Sequence, residues 1–182
     1  MRGGVRERGV HRPDLGAAFD FVPVEESHLP MLREWLLRPH VARWWGDPGS
    51  PEAMRTEHRR NASRPNATRE YIVNLDGAPI GFIQSYVVMG SGDGWWQDET
   101  DPGTRGIDQF LADASKLGQG IGRAMIGAFV QVLFADPAVT VVQTDPSPAN
   151  GRAIRCYQAA GFVAAGIVAT PDGDALLMRR SR

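Results

Sequence analysis

The stretch from residue 106 to residue 133 constrains the fold more than any other part of the chain. It reads as a strand over residues 106–112, then Leu117-Gly118-Gln119-Gly120-Ile121-Gly122, then a helix with Ile121, Met125, Ala128, Val132 and Leu133 at helical spacing. A strand that feeds a helix through such a loop belongs to an α/β arrangement, with the helix packed on a sheet. The glycines let an anion come close to the backbone, and the helix N-terminus offers it free N–H groups and a partial positive charge. The loop lacks the Gly-Lys-Ser/Thr ending of a nucleoside-triphosphate loop. No ribose-binding acid of a dinucleotide fold follows it. Taken alone, it is equally a turn that feeds a helix.

The flanking chain supplies the other layers. Residues 19–24 suit a first strand. Ser27 can cap a helix bearing Leu29, Leu32, Trp35 and Leu36 on one face, which Pro39 ends. Ser50-Pro51 starts a second, more polar helix. Residues 71–75 and 79–88 flank Asp76-Gly77, a hairpin signal. A Gly/Asp/Trp-rich loop spans residues 90–103. Residues 139–144 are β-rich, Ser147-Pro148 starts a helix that reaches Ala160, and Gly161 stops it. Strands over 162–169 and 175–179 turn at Pro171-Asp172-Gly173.

With 182 residues, 42% apolar and 23% charged, the chain suits one globular domain over residues 19–182, behind a loosely ordered extension at residues 1–18. A net charge of −1 gives no electrostatic footprint for nucleic acid. The lone Cys156 excludes an internal disulfide, and His11, His28, His40 and His58 show no metal-ligand spacing. No apolar run is long enough for a membrane span, and the arginine-bearing start has no apolar stretch behind it. The expectation is therefore a cytoplasmic protein without a metal, taken as a monomer, with no nucleic-acid or membrane partner.

A second motif, Asn150-x-Arg152-Ala153-Ile154-x-x-Tyr157-x-x-x-Gly161-Phe162, joins the glycine loop. Together they resemble the GNAT acetyltransferase superfamily. Leu117 departs from the Arg or Gln that opens that family's loop pattern, while Gly120 and Gly122 match it. The resemblance implies a mixed α/β fold: a mostly antiparallel twisted sheet of about seven strands, splayed at the cofactor site and flanked by about four helices. It implies acetyl-coenzyme A as cosubstrate. The backbone of Phe110, Leu111 and Ala112 would meet its pantetheine arm. Gly118, Gln119, Gly120, Ile121, Gly122 and Arg123 would cradle its pyrophosphate. Asn150 and Tyr157 would lie near the thioester.

The other half of the problem is the acceptor. Six acids (Asp93, Asp98, Glu99, Asp101, Asp108, Asp113) face one base, Arg105, between residues 93 and 113. For Asp98, Glu99 and Asp101 a solvated rim is the favoured reading. Trp95-Trp96 lies within this stretch, and Trp44-Trp45 follows the first helix. Exposed indoles need a packing or binding reason, and they suit the apolar face of a sugar and a cation. One tryptophan of each pair is expected in the core and the other at a ligand. Gly90-Ser91-Gly92-Asp93-Gly94-Trp95-Trp96, Glu99-Thr100-Asp101-Pro102-Gly103, Arg105-Gly106-Ile107-Asp108-Gln109 and Thr144-Asp145-Pro146-Ser147-Pro148 narrow the resemblance to the aminoglycoside 6'-N-acetyltransferases, over roughly residues 20–180. The resemblance places Trp45, Asp93, Trp95, Asp108, Asp145 and Asp172 at the drug site or its rim, although Pro171-Asp172-Gly173 is equally a plain turn.

By that resemblance Asp108 and Tyr157 are catalytic, and the chemistry suits their residue types. The acceptor amine must lose a proton before it attacks the thioester, and a carboxylate can accept it. Alternation puts Asp108 on one strand face with Phe110 and Ala112, where burial would raise its pKa. A phenol can donate to the departing thiolate. Cys156 is not expected to form an acetyl-enzyme, because adjacent helix residues point about 100° apart and no histidine partners it. Two rival readings remain: a siderophore-type GNAT N-acyltransferase, suggested by His40, Trp44 and Trp45, or one acting on another small polyamine; and a non-catalytic module that binds coenzyme A or aminoglycoside.

Overall fold

The computed structural model describes residues 19–63 and 68–182; the extension expected over residues 1–18 lies outside them. Seven strands form one sheet: β1 (Phe19–Pro23), β2 (Arg69–Leu75), β3 (Ala78–Val87), β4 (Thr104–Leu111), β5 (Val141–Thr144), β6 (Val163–Thr170) and β7 (Gly173–Ser181). Their spatial order is β1-β2-β3-β4-β5-β7-β6. Every pairing is antiparallel except β4 with β5. Five helices flank the sheet: α1 (Leu29–Leu36), α2 (Pro39–Trp45), α3 (Pro51–Ala62), α4 (Ile121–Phe134) and α5 (Gly151–Ala159).

Alternation along the strands divides the apolar residues between two cores. Val73, Ile83, Ile107 and Leu111 pack with Met125, Ile126, Phe129 and Val130 of α4 and with Tyr157 of α5. Ile72, Phe82, Phe110 and Ala112 point the other way and pack with Leu29, Leu32 and Trp35 of α1 and Val41 of α2. Each fully buried large side chain contributes about 1.5–3 kcal/mol relative to exposure, so α4 is fixed on its face chiefly by burial. Asp76 (φ 52°) and Gly77 (φ 78°) make the β2–β3 turn expected of an Asp-Gly pair.

Two expectations are corrected. Pro39 does follow the end of α1, but it also opens α2, a helix the sequence reading left out. Proline is favoured there because a first-turn N–H has no helical partner to lose. The flanking helices therefore number five among the described residues. Helix α5 begins at Gly151, not at Ser147-Pro148: the Asn150 side chain accepts from the Ala153 N–H at 3.1 Å and caps it. Ser147 instead closes the turn before it, where its carbonyl accepts from the Asn150 N–H at 2.8 Å.

The feature that makes a site is the parting of β4 and β5. They pair over three residues, from Thr104↔Val141 to Gly106↔Gln143. Beyond that β4 continues to Leu111 with β3 alone. Ala112 donates to the Ile80 carbonyl and Val88 to the Thr104 carbonyl in the register of β3 with β4, so the even-numbered β4 residues share hydrogen bonds with β3. The backbone groups of Gln109 and Leu111 therefore face the gap. The Leu111 carbonyl is taken up by Nε2 of His40, at 3.0 Å, from α2.

Candidate active site

A cavity of about 590 Å³ occupies this gap. Its walls come from α2 (Trp44, Trp45), β3 (Gln84, Tyr86), β4 (Asp108, Gln109), the loop after β3 (Trp95, Trp96), the end of β5 (Thr144, Asp145), α5 (Asn150, Tyr157) and the β6–β7 turn (Asp172). Because the strands part, side chains from both faces of the sheet reach one space. Asp108 comes from the α1 and α2 face. Tyr157, 4% exposed and packed edge-on to Phe162, comes from the α4 face.

Asp108 sits opposite Gln84 in the β3–β4 register and accepts a hydrogen bond from Gln84 Nε2 at 2.9 Å. Burial raises its pKa, and the Gln84 bond works against that rise. Burial also raises the Tyr157 phenol well above the ordinary value, and the Asp108 charge adds to this. Tyr157 is thus protonated throughout the neutral range. Asp145 is pushed up to about 7, first by burial and then by the charges of Asp108 and Asp172. Four aspartates, Asp108, Asp145, Asp172 and Asp174, line this one cavity and make it strongly attractive to a cation.

Trp45 packs edge-on against Phe82 and Phe110, with centroids 5.6 and 5.1 Å away, and still lines the cavity. Trp44, 38% exposed, carries the Arg43 guanidinium over its ring. Of this pair, the member expected at the ligand is also the packed one. Trp95 and Trp96 are both half-buried and tilted together at 5.8 Å. Gly92, Asp93 (φ 51°), Gly94 (φ 86°) and Trp95 form a tight turn closed by the Trp95 N–H on the Gly92 carbonyl, with the two positive φ values of a type I′ turn. Trp96 (φ 48°) holds a left-handed backbone that a bulky residue rarely adopts, a local strain of about 1–3 kcal/mol.

The remaining site residues divide. Asp145 and Asp172 line the cavity; Asp93 does not, and stands exposed at its turn outside the lining. Glu99 and Asp101, expected as a solvated rim, instead tie the loop down. Glu99 bonds Arg179 of β7 at 2.8 Å and the Asp101 N–H at 2.9 Å. Asp101 accepts from the Gly103 N–H and the Thr140 hydroxyl. Asn150 lines the cavity while its oxygen caps α5.

At the other end of the gap, Gly118 (φ 76°) and Gly120 (φ 84°) hold left-handed backbone, and a Cβ on either would meet nothing within 4 Å. The loop thus opens outward, with Gln119 and Arg123 exposed beside the first turn of α4. That turn's unpaired N–H groups suit a phosphate, so the loop fits the pyrophosphate of a coenzyme A molecule. Gly122 has a second duty: a Cβ there would lie 3.3 Å from the Cys156 sulfur, so it lets α4 approach α5. Phe110, Leu111 and Ala112 are buried, but of the three only Leu111 turns its backbone to the gap, because that of Phe110 and Ala112 is bonded to β3.

Gln84, Tyr86 and Asp174 also line the cavity, and the sequence reading did not single them out. Gln84 ends the apolar run Ile80-Gly81-Phe82-Ile83 with an amide on the strand face of Phe82, and that interruption was its signal. Tyr86 covers Gly106 across the strands; its ring fills the space a Cβ would need. Burial, then the Asp108 and Asp145 charges, raise its pKa. The buried Trp96 indole N–H acts on it but forms no hydrogen bond of ordinary geometry.

The family model of the acetyltransferase (GNAT) domain matches residues 24–170. The chain belongs to the GNAT acetyltransferases. A curated member, aminoglycoside N(6')-acetyltransferase type 1 of Klebsiella pneumoniae, is 51% identical over 160 residues, covering 86% of this chain and 80% of that protein. The solved structure of AAC(6')-Ib with parmomycin and acetyl-coenzyme A superposes with a TM-score of 0.86 at 49% identity, covering 91% of this chain and 94% of the other. The same enzyme with coenzyme A and kanamycin gives 0.85 at 49% identity, over 91% and 95%. Among the described residues no helix is long and apolar enough to cross a membrane.

Proposed function

We propose that this protein transfers an acetyl group from acetyl-coenzyme A to the 6'-amine of aminoglycoside antibiotics, directly and within a ternary complex, and so confers resistance to them. The observation that supports this best is the cavity at the β4–β5 parting. There the carboxylates of Asp108, Asp145 and Asp172 and the indoles of Trp45, Trp95 and Trp96 surround one space. Carboxylates hold ammonium groups, and indole faces cover sugar rings. Relatives 49–51% identical to this chain are aminoglycoside acetyltransferases by name. A siderophore-type acceptor has less need of a cluster of carboxylates, and a purely binding module has no need of Asp108 and Tyr157 on opposite sides of the gap.

Acetyl-coenzyme A, when bound, supplies the acetyl group as a thioester. Gly118, Gln119, Gly120, Ile121, Gly122 and Arg123 hold its pyrophosphate. The backbone groups of Gln109 and Leu111 that face the gap hold its pantetheine arm, flanked by Phe110 and Ala112. Asp145 and Asp172 hold the ammonium groups of the acceptor that do not react, with Asp93 at the outer rim. Trp45 and Trp95 hold its rings. Asp108 accepts the proton of the reacting ammonium, which frees the nitrogen lone pair to form the C–N bond as the C–S bond breaks. Its raised pKa makes it a stronger base than an aspartate in water. Tyr157 presents its O–H to the departing sulfur. A thiol near 8.5 is more acidic than this phenol, so Tyr157 stabilises the thiolate by a hydrogen bond and solvent delivers the final proton.

The test is thiol release from acetyl-coenzyme A with kanamycin as acceptor. Release with kanamycin, and none with an aminoglycoside that has a hydroxyl in place of the 6'-amine, is the expected result. Silence with every 6'-amino acceptor would overturn the proposal.

A further inference from the structure

Gln84 stands where an apolar residue would be expected, between Ile83 and Ser85 in the middle of β3. The register sets it directly opposite Asp108, in a pair that also shares backbone hydrogen bonds. Its Nε2 donates to Asp108 Oδ2 at 2.9 Å. No other side chain among the described residues donates to that carboxylate within hydrogen-bond reach. On its far side Gln84 borders a second, largely apolar cavity with Leu32, Met54, Phe82 and Phe110. The amide therefore has one fitting orientation. Turned over, it would set Oε1 against a carboxylate oxygen, which cannot bond it.

We propose that Gln84 is a positioning residue for acetyl transfer: it holds Asp108 by one oxygen and leaves the other to the acceptor amine. This deepens, and rests on, the reading of Asp108 as the base. The titratable groups that share the cavity with Asp108 are Tyr86 from β3, Asp145 after β5, Tyr157 from α5, Asp172 at the β6–β7 turn, which acts on Asp145, and Asp174 of β7. None is a cation. Gln84 is then the group that opposes the effect of burial on Asp108. A hydrogen bond to a charged group corresponds to about one pH unit or somewhat more.

The experiment compares wild type with Gln84→Met, which keeps the length and removes the donor. The acid limb of the kcat profile with kanamycin should move up by about one pH unit, and kcat near neutrality should fall roughly tenfold. The KM for acetyl-coenzyme A should not change. The acceptor's own titration is common to both enzymes and cancels in the comparison. In the apo protein, the Asp108 carboxyl carbon followed by 13C NMR should titrate about one unit higher in Gln84→Met. Adding Gln84→Met to Asp108→Asn should slow that variant no further. If Gln84→Met melts before it can be assayed, Gln84→Glu, which keeps the shape and puts an acid beside Asp108, should shift the same titration further upward. An unshifted Asp108 titration, with Asp108→Asn still inactive, overturns the role of Gln84 and leaves the base reading standing. Near-wild-type turnover in Asp108→Asn overturns the base reading and the role of Gln84 with it.

Discussion

Asp145→Asn is expected to make the protein more stable and a poorer enzyme. In the fold the Asp145 carboxyl is raised from 3.8 to about 7, chiefly by burial and then by the charges of Asp108 and Asp172. An aspartate shifted upward reverses the usual case. The folded chain binds that proton more tightly than the unfolded chain, so stability falls as pH rises from about 4 to about 7 and is level above that. The full difference corresponds to about 4 kcal/mol. Asp145 is half-buried and Asp172 exposed, so water and salt reduce the gain from Asn to about 2 kcal/mol at pH 8. For a chain of this size that is a rise of about 4–8 °C in Tm. Thermal melts of the two proteins at pH 8 and pH 4 test it directly: the gain should be present at pH 8 and nearly gone at pH 4. The same variant should raise the aminoglycoside KM about tenfold, because a desolvated charge that holds an ammonium is lost. No gain at pH 8, or an equal gain at both pH values, would refute the placing of Asp145 as a carboxylate strained in waiting for a cation.

Other expectations follow from single contacts. Gly106→Ala sets a Cβ into the Tyr86 ring, so it should cost about 1–3 kcal/mol in denaturant unfolding and lower turnover by moving β4 beside Asp108. Glu99→Ala cuts the tie between the tryptophan loop and Arg179; the aminoglycoside KM should rise several-fold in steady-state assays while the KM for acetyl-coenzyme A stays put. Tyr157→Phe keeps the packing on Phe162 and removes the hydroxyl, so kcat should fall about 10- to 100-fold at saturating substrates with the melt unchanged.

The sheet and its helices were legible where a residue's conformational preference acts locally. Asp76-Gly77 has one good turn to make, and Gly118-x-Gly120 ahead of an apolar helix has one good loop. The errors arose where a signal has two physical meanings. Pro39 both follows one helix and opens the next. Ser147-Pro148 looks like a helix start, yet Asn150 reaches the Ala153 N–H and so caps α5. In the site, Asp108, Asp145, Asp172, Tyr157, Trp45 and Trp95 line one cavity, while Asp93 stands at the exposed turn. The roles of Glu99 and Gln84 were hidden because their partners lie 80 and 24 residues away in sequence. No local pattern announces a contact set by strand register.

The base role of Asp108 is tested most directly by pre-steady-state and steady-state thiol release from acetyl-coenzyme A with kanamycin, in wild type and in Asp108→Asn of matched melting temperature. Wild type should release thiol at the rate of acetyl-kanamycin formation, and the Asn variant should turn over about 10²- to 10⁴-fold more slowly while still binding both substrates. Turnover of Asp108→Asn within a few-fold of wild type would contradict the account.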